Sequence, residues 1–228
     1  VTEADRAADR LLQDMLLAQR PDYGWLSEET VDNPIRLERE RVWIVDPIDG
    51  TRSFIAGHPE FAVSIGLAVN GEITVGVIAN PATDEYFYAI KGGGAWADSP
   101  AHGTVRERIE VSTKEDLNDA RLAASRSEIK AGEFEPFQGE LHIMPTGSTA
   151  YKMARVATGA ADIFLSRGPK SEWDIAAGDL IVHEAGGCVC DLRGERIRYN
   201  RADTQVHGIL ASNRNLKQRA LGLVDRLF

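Results

Sequence analysis

Cysteine and histidine are scarce in this sequence, which excludes several classes of metal site. Its 228 residues include two cysteines, Cys188 and Cys190, and five histidines. No His-x-x-x-His or Cys-x-x-Cys spacing occurs, so a zinc site or a haem is not expected. The cysteines lie two residues apart in a predicted strand and would share one face, which suits packing better than a disulfide. A reducing, cytoplasmic setting is therefore predicted.

Long apolar runs and an excess of positive charge are also lacking. No apolar run reaches the roughly 18 residues that a membrane span needs, so no membrane partner is expected, and no signal peptide is recognised. The 26 basic and 35 acidic residues give a formal net charge of −9, which argues against a nucleic-acid polymer as a partner. A small anionic substrate could still be held by a local basic pocket or by a metal ion.

One predicted strand ends in two aspartates. Apolar, partly β-branched residues lead to Asp46, and Pro47 is expected to end the strand because it has no N–H to donate. Asp49 follows, and Gly50 begins a turn into a predicted helix over residues 51–55. Mg²⁺ prefers carboxylate and carbonyl oxygens, and phosphate binds the free N–H groups of a helix start. The turn therefore predicts a Mg²⁺ and phosphate site, with an Asx-type turn that only caps backbone as the alternative.

Hydrophobic periodicity divides the chain into two halves. Antiparallel strands dominate residues 1–105, where Asn70-Gly71 between two apolar runs is a strong hairpin signal, so this half is predicted to be α+β. Strands alternate with helices over residues 106–228, which predicts an α/β half that completes the site. The predicted helices cover residues 3–19, 51–55, 148–158 and 173–185 and begin again at about residue 213. The predicted strands cover residues 23–26, 42–46, 61–69, 72–79, 84–90, 95–96, 122–125, 141–144, 161–165, 187–190 and 206–211.

Three further acids could converge on the aspartate pair. Asp5 lies in the first turn of the first helix, Glu28 follows a strand, and Asp174 lies near the start of a later helix. Taken singly, Asp5 and Asp174 are most simply helix-start acids and Glu28 a solvated loop acid. Only a common motif would give them a joint role.

Several long motifs, in order along the whole chain, resemble those of the inositol monophosphatase superfamily, the lithium-sensitive, Mg²⁺-dependent phosphomonoesterases. The first signature is an acidic pair at residues 27–29 followed by W-x-x-D-P-[IL]-D-G-T-x-x-F at residues 43–54. The second is W-D-x-A-[AG]-G at residues 173–178 followed by E-A-G-G at residues 184–187. Two shorter motifs also match, V-T-x-x-D at residues 1–5 and G-[ST]-x-A at residues 147–150. The resemblance implies the layered αβαβα sandwich of the inositol monophosphatase and fructose-1,6-bisphosphatase type. That fold is consistent with an α+β half followed by an α/β half.

The resemblance also implies a metal site of two or three Mg²⁺ ions. Glu28, Asp46 and the carbonyl of Ile48 would hold the first ion, and Asp46, Asp49 and Asp174 would hold the second. Inhibition by Li⁺ is expected if the chain behaves like the family. A metal pair suits phosphomonoester hydrolysis, because it neutralises the phosphate oxygens, activates a water and stabilises the leaving oxygen.

Catalytic and substrate-binding roles are implied at further matching positions. The N–H groups of Gly50 and Thr51 would hold the phosphate. The Thr51 hydroxyl, hydrogen-bonded to Asp5, would orient the attacking water, and Glu28 would help to deprotonate it. Ser148, Thr149 and Lys152 at the start of a predicted helix are expected to bind substrate.

The sequence favours a bisphosphate nucleotide as the substrate. Residues 168–174 resemble the G-P-x-x-E-W-D of bacterial 3′(2′),5′-bisphosphate nucleotidases, and residues 59–63 resemble their G-E-F-x-V segment. Arg167 lies where inositol-type enzymes tend to place an acid, and a guanidinium suits a second phosphate; Lys152 and Arg126 could line the same pocket. The expected reaction is removal of the 3′-phosphate of 3′-phosphoadenosine 5′-phosphate. Inositol monophosphate is the first alternative, then histidinol phosphate, with fructose 1,6-bisphosphate a weaker one.

Two other classes of function are alternatives to a phosphatase of the inositol monophosphatase type. Haloacid dehalogenase-like phosphatases also carry an aspartate before D-G-T, but their two acids are two residues apart and lie near the N-terminus. A metal-binding or regulatory protein on the same fold is the non-enzymatic alternative. Family members carry a helix and a strand before V-T-x-x-D that have no match here, so a trimmed N-terminus is expected. A homodimer is left open.

Overall fold

Two β-sheets enclose a pair of helices in the computed structural model, which describes residues 1–99, 103–224 and 226. The first sheet has seven strands that follow one another in chain order. Its first two strands are parallel and all later neighbours are antiparallel. These strands are β1 (Gly24–Ser27), β2 (Arg41–Asp49), β3 (Ala62–Val69), β4 (Glu72–Asn80), β5 (Glu85–Ile90), β6 (Ala95–Ser99) and β7 (Thr104–Ile109).

The second sheet is mixed and has five strands. They are β8 (Ala120–Ala124), β9 (Leu141–Pro145), β10 (Ile163–Ser171), β11 (Gly187–Cys190) and β12 (Gln205–Asn213), in the spatial order β11-β12-β10-β8-β9. β8 pairs in parallel with β9 and β10, whereas β12 is antiparallel to both of its neighbours. Cys188 and Cys190 on β11 are free thiols.

Helices form the remaining layers. They are α1 (Glu3–Gln19), α2 (Thr51–Ile55), α3 (Arg126–Lys130), α4 (Thr149–Ala157), α5 (Glu172–Glu184) and α6 (Lys217–Val224), with 3-10 helices at Pro34–Glu38 and Glu135–Phe137. α4 and α5 pack against each other and contact both sheets, while α1 contacts β2 and α6 contacts β12 from outside. This layering confirms the predicted αβαβα sandwich. Among the described helices there is no candidate for a membrane span.

Local signals account for the elements that were predicted correctly. α1 begins at the capping box of Thr2 and Asp5, which satisfies backbone N–H groups that have no partner within the helix. The β3–β4 hairpin turns at Asn70 and Gly71, whose φ angles are 51° and 78°. Positive φ at both central residues is the geometry that twisted hairpins favour.

Four local predictions were wrong or incomplete. The strand predicted over residues 161–165 is β10 (Ile163–Ser171), which continues past a register shift between Ser166 and Pro169. Pro47 does not end β2, which continues to Asp49. The pairing of β2 with β3 shifts register between Asp46 and Asp49, and proline is tolerated at such an irregularity because no ladder hydrogen bond is needed there.

β7 was missed and spans the predicted division at residue 105. Three consecutive charged residues, Arg106 to Arg108, obscure its apolar pattern, and such charges are common on an edge strand. α3 was also missed, although its capping box of Ser125 and Glu128 is a recognisable signal.

The close contact between α5 and the first sheet depends on two strand glycines. A Cβ built on Gly76 would lie 2.7 Å from the carbonyl oxygen of Ala177, and one on Gly66 would lie 2.9 Å from Cβ of Ala176. Both distances are too short for real side chains, so the helix lies directly on the backbone of β3 and β4. This packing fixes where the first turn of α5 meets the end of β2.

We expect Gly76→Ala to lower the free energy of unfolding by about 1–3 kcal/mol, since overpacking must displace α5. The measurement is urea denaturation followed by circular dichroism. Gly222→Ala is the control, because a Cβ there meets nothing within 4 Å, and in a helix alanine should add up to about 1 kcal/mol of stability. Equal effects of the two substitutions would contradict this account of the α5 contact.

Candidate active site

The parallel pairing of β1 and β2 brings the first acids together. Ser27 lies opposite Val45 in the register, so Glu28 and Asp46 follow side by side at the same edge of the sheet. The N–H of Glu28 also donates to the carbonyl of Val45 at 3.3 Å. Glu28 and Asp46 are close enough for their side chains to share a hydrogen bond.

Three aspartates from different elements converge beside Glu28. Asp46 and Asp49 come from the end of β2, and Asp174 comes from the first turn of α5. One carboxylate oxygen of each lies within 4.8 Å of the others. Asp174 also accepts the N–H of Ser171 at 2.9 Å, which fixes its position at the helix start. The structure therefore brings together the four acids that the sequence predicted as metal ligands.

Asp49 connects the two halves of the molecule. Its Oδ2 accepts the hydroxyl of Ser148 at 2.6 Å and the N–H of Ala150 at 2.5 Å. Ser148 has a φ of 57° and its Oγ accepts the N–H of Tyr151 at 2.9 Å. Ser148 thus caps α4 and holds an acid of the other half, and its predicted contact with substrate stays a prediction.

Burial raises the pKa values of all four acids, and repulsion by neighbouring acids adds to this for Glu28, Asp46 and Asp174. Burial, followed by the charges of Asp49, Glu28 and Asp174, raises the pKa of Asp46 well above its usual range. Burial and Asp49 raise the pKa of Asp174 to about 7. Burial likewise raises the pKa values of Glu28 and Asp49. A group of four carboxylates, two of them almost fully buried, fits a hard divalent cation such as Mg²⁺.

The Thr51 hydroxyl lies at the edge of this acidic group. Its Oγ1 is 3.1 Å from Oδ1 of Asp5 and 3.1 Å from the carbonyl oxygen of Ile48. Asp5 is fully buried, and its other oxygen accepts the Thr2 hydroxyl at 2.6 Å. Ile48 itself donates its N–H to Asp46 at 3.0 Å. The predicted Thr51–Asp5 hydrogen bond is therefore confirmed, whereas its catalytic role stays a prediction.

The acids line one side of a cavity of about 620 Å³. Its lining includes the predicted residues Glu28, Asp46, Ile48, Asp49, Gly50, Thr51, Ser148, Thr149, Lys152 and Asp174. Residues that the sequence analysis had not singled out line it too, among them Arg52, His58, Glu128 and Lys170. The capping box that would have revealed α3 also points to Glu128, and Lys170 lies within the G-P-x-x-E-W-D motif.

Basic residues line the same cavity as the acids. The Lys152 ammonium is buried with its Nζ 5.0 Å from the ring centre of Phe164, and burial lowers the pKa of Lys152 to about 8. Lys170 lies 3.6 Å from Glu128, and Arg126 pairs with Glu60 at 2.8 Å. The cavity therefore offers positive charge close to the proposed metal ligands, since Lys152 and Lys170 both interact with Asp49 and Asp174.

Arg167 is placed differently from the other predicted residues. Its Nε lies 3.3 Å from a carboxylate oxygen of Glu133, and among the described residues it is not part of the cavity lining. The structure thus does not bring Arg167 to the acids, and its predicted contact with a second phosphate is unsupported by this geometry.

Comparison with known proteins decides the family. A family model described as the inositol monophosphatase family matches residues 1–227. The chain belongs to the inositol monophosphatase family. The resemblance predicted from the motifs is thereby confirmed.

Individual relatives of this family carry several names. An inositol-1-monophosphatase of Rhizobium meliloti (strain 1021) is 38% identical over 202 residues, which are 85% of this chain and 73% of the relative. A Nus factor SuhB of Xylella fastidiosa (strain Temecula1) is 35% identical over 202 residues, covering 85% of this chain and 69% of the relative. The solved structure of a Thermotoga maritima IMPase has a TM-score of 0.85 at 33% identity and covers 100% of this chain and 84% of that chain.

Family membership establishes the class of chemistry. The chain is a phosphatase of the inositol monophosphatase type, and the haloacid dehalogenase-like alternative falls away. The family is generally Mg²⁺-dependent, and the aspartates that could bind such an ion are grouped here as described above.

The raised acid pKa values predict a pH-dependent stability in the absence of metal. The folded-state pKa of Asp174, about 7, exceeds its unfolded value, so the stabilising contribution present at low pH is lost as pH rises through that value. In EDTA, the free energy of unfolding should therefore fall as pH rises from about 4, the ordinary aspartate value, to about 7. Chemical denaturation at several pH values measures this.

Asp174→Asn removes the titrating group and should flatten that dependence. Asp46 and His183 also have raised pKa values and would leave part of the slope in place. Asp14→Asn, which removes an exposed acid of α1, serves as the control and should keep the wild-type slope. An unchanged slope in Asp174→Asn would show that Asp174 ionises as it does in the unfolded chain.

Proposed function

We propose that this protein is a Mg²⁺-dependent phosphomonoesterase and that an inositol monophosphate is its preferred substrate. The observation that carries the proposal is the convergence of Glu28, Asp46, Asp49 and Asp174 beside the Thr51–Asp5 hydrogen bond. The naming of the Rhizobium meliloti relative and the Thermotoga maritima structure supports inositol phosphate. This reverses the order predicted from the sequence, because the argument for a bisphosphate nucleotide depended most on Arg167.

The chain's own residues supply the orientation of the reactants. In the proposed arrangement the Thr51 hydroxyl donates its hydrogen bond to Asp5, so its lone pairs can accept a hydrogen bond from a water in the cavity. Glu28, whose pKa burial raises, lines the same cavity and is the proposed acceptor of the proton from that water. The N–H groups of Gly50 and Thr51 are proposed to hold the phosphate.

Glu28, Asp46, the Ile48 carbonyl, Asp49 and Asp174 are the residues that would hold Mg²⁺. The bound ions would neutralise phosphate oxygens and lower the pKa of the attacking water. Ser148 and Ala150 orient one of these ligands by donating hydrogen bonds to Asp49.

Asp46→Asn should abolish phosphate release in the presence of Mg²⁺, with a loss of more than about 10³-fold expected for removing a shared metal ligand. The folded state should survive, since the substitution relieves repulsion among buried acids. Phosphate release is assayed with inositol 1-phosphate, and folding is checked by melting temperature in EDTA. Asp14→Asn should behave as wild type. Full activity of Asp46→Asn, or of wild type in EDTA, would refute the metal mechanism.

A bisphosphate nucleotide remains the second candidate, because one observation favours it. Lys152 and Lys170 line the cavity together with Arg126, and three basic residues in one cavity suit the charge of a second phosphate. A neutral polyol needs hydrogen-bonding groups instead, which Ser125, Ser127 and Glu128 in the same lining provide.

A substrate panel separates the two candidates. We expect kcat/KM to be higher for inositol 1-phosphate than for 3′-phosphoadenosine 5′-phosphate or histidinol phosphate. Lys152→Met keeps most of the length of the buried side chain and removes its charge. If a second phosphate contacts Lys152, kcat/KM for the bisphosphate should fall about 10-fold or more relative to kcat/KM for inositol 1-phosphate. Lys130→Met on exposed Lys130 is the control. A wild-type preference for the bisphosphate would make the nucleotidase the assigned function.

Several finer expectations stay predictions. They are the number of bound ions (two or three), inhibition by Li⁺, a cytoplasmic location and a homodimer. A metal-binding protein without turnover is the outcome if Mg²⁺ binds and no phosphomonoester is hydrolysed.

A further inference from the structure

The buried face of α1 is acidic rather than apolar. Asp5 and Asp9 are 0% and 5% exposed, whereas Leu11 and Met15 on the same helix are each 61% exposed. Residues four apart in a helix share a face, so both acids point toward the first sheet. Asp5 holds Thr51, as described above, whereas no role has yet been given to Asp9.

Asp9 binds the chain on both sides of Glu28. Its Oδ1 accepts the hydroxyl of Ser27 at 2.5 Å, and its Oδ2 accepts the hydroxyl of Thr30 at 2.7 Å. Ser27 is the last residue of β1, and Thr30 lies two residues beyond Glu28. One side chain therefore fixes both ends of the short segment that carries a proposed metal ligand.

The direction of these hydrogen bonds explains why a carboxylate is needed at Asp9. The Ser27 hydroxyl oxygen already accepts the N–H of Glu29 at 3.4 Å, and that of Thr30 accepts the indole N–H of Trp25 at 3.3 Å. The hydroxyl protons of Ser27 and Thr30 are therefore available to be donated to Asp9. A carboxylate accepts twice, whereas the amide of asparagine accepts through one atom only.

We propose that Asp9 is a positioning residue that holds Glu28 at the metal site, through Ser27 and Thr30. This inference rests on the proposed Mg²⁺ site. Glu28 is repelled by Glu29, Asp49 and Asp5. Its backbone N–H is held by the carbonyl of Val45, but that bond alone does not keep the side chain from turning toward solvent. The hydrogen bonds of Asp9 oppose that movement, in the way that residues behind a metal ligand maintain its orientation.

Asp9→Asn tests the proposal by its effect on Mg²⁺ affinity, measured by isothermal titration calorimetry without substrate. We expect the dissociation constant to rise about 10-fold or more, the range found for residues that support metal ligands. Asp14→Asn removes an exposed acid of the same helix and should leave the affinity unchanged. Wild-type affinity in Asp9→Asn would overturn the proposal.

A second readout distinguishes positioning from a general loss of structure. At saturating Mg²⁺ the kcat of Asp9→Asn should approach that of wild type, whereas Thr51→Ala should stay impaired at every Mg²⁺ concentration. A kcat that Mg²⁺ does not restore in folded Asp9→Asn would contradict a role through Glu28. If wild type binds Mg²⁺ but hydrolyses no phosphomonoester, the calorimetric result still stands and only the proposed function fails.

Thr30→Val provides a variant that should fold even if Asp9→Asn does not, because Thr30 is only partly buried. It removes one of the two hydrogen bonds to Asp9 and the acceptor of the Trp25 indole. We expect a smaller rise in the Mg²⁺ dissociation constant, about 3-fold or more, and a shift in tryptophan emission that Trp25→Phe abolishes. An unchanged Mg²⁺ affinity in Thr30→Val would also overturn the proposal.

Discussion

Four carboxyl groups held against their mutual repulsion are the constraint on which the arrangement of this molecule depends. Asp46 and Asp49 are almost fully buried, and the pKa values of all four acids are raised. Such a group costs folding free energy when no cation is bound. The four acids can stay together only where other contacts determine the position of each one. The structure supplies such contacts separately for each acid.

These supports come from distant parts of the chain. The parallel register of β1 and β2 places Glu28 beside Asp46, Ser148 and Ala150 hold Asp49, and the contact of α5 with β3 and β4 sets the position of Asp174. Both sheets and the helices between them are therefore needed to form one cavity. Lys152 and Lys170 line the same cavity, and their positive charges act on Asp49 and Asp174.

Motifs predicted most of the site, since each functional acid lies within a long, ordered signature. Local signals with a physical basis, such as the Thr2 cap of α1 and the Asn70-Gly71 turn, gave the correct elements. The sequence could not predict the partners of charged side chains, because these depend on tertiary packing. Arg167 was expected in the substrate pocket and is paired with Glu133 instead, whereas Glu128 and Lys170 entered the cavity lining without having been predicted. Asp9 was missed because its proposed role depends on hydrogen bonds from the hydroxyls of Ser27 and Thr30, which lie 18 and 21 residues away in the sequence.

The most direct test of the metal site is anomalous diffraction from crystals of the wild-type protein grown with Mn²⁺, which can replace Mg²⁺ at oxygen ligands. The account predicts at least one anomalous peak bonded to carboxylate oxygens of Asp46, Asp49 and Asp174, at distances of about 2.0–2.2 Å. A second peak between Glu28, Asp46 and the Ile48 carbonyl would show the predicted pair of ions. Crystals without a peak at these acids, at a Mn²⁺ concentration that supports phosphate release, would contradict it.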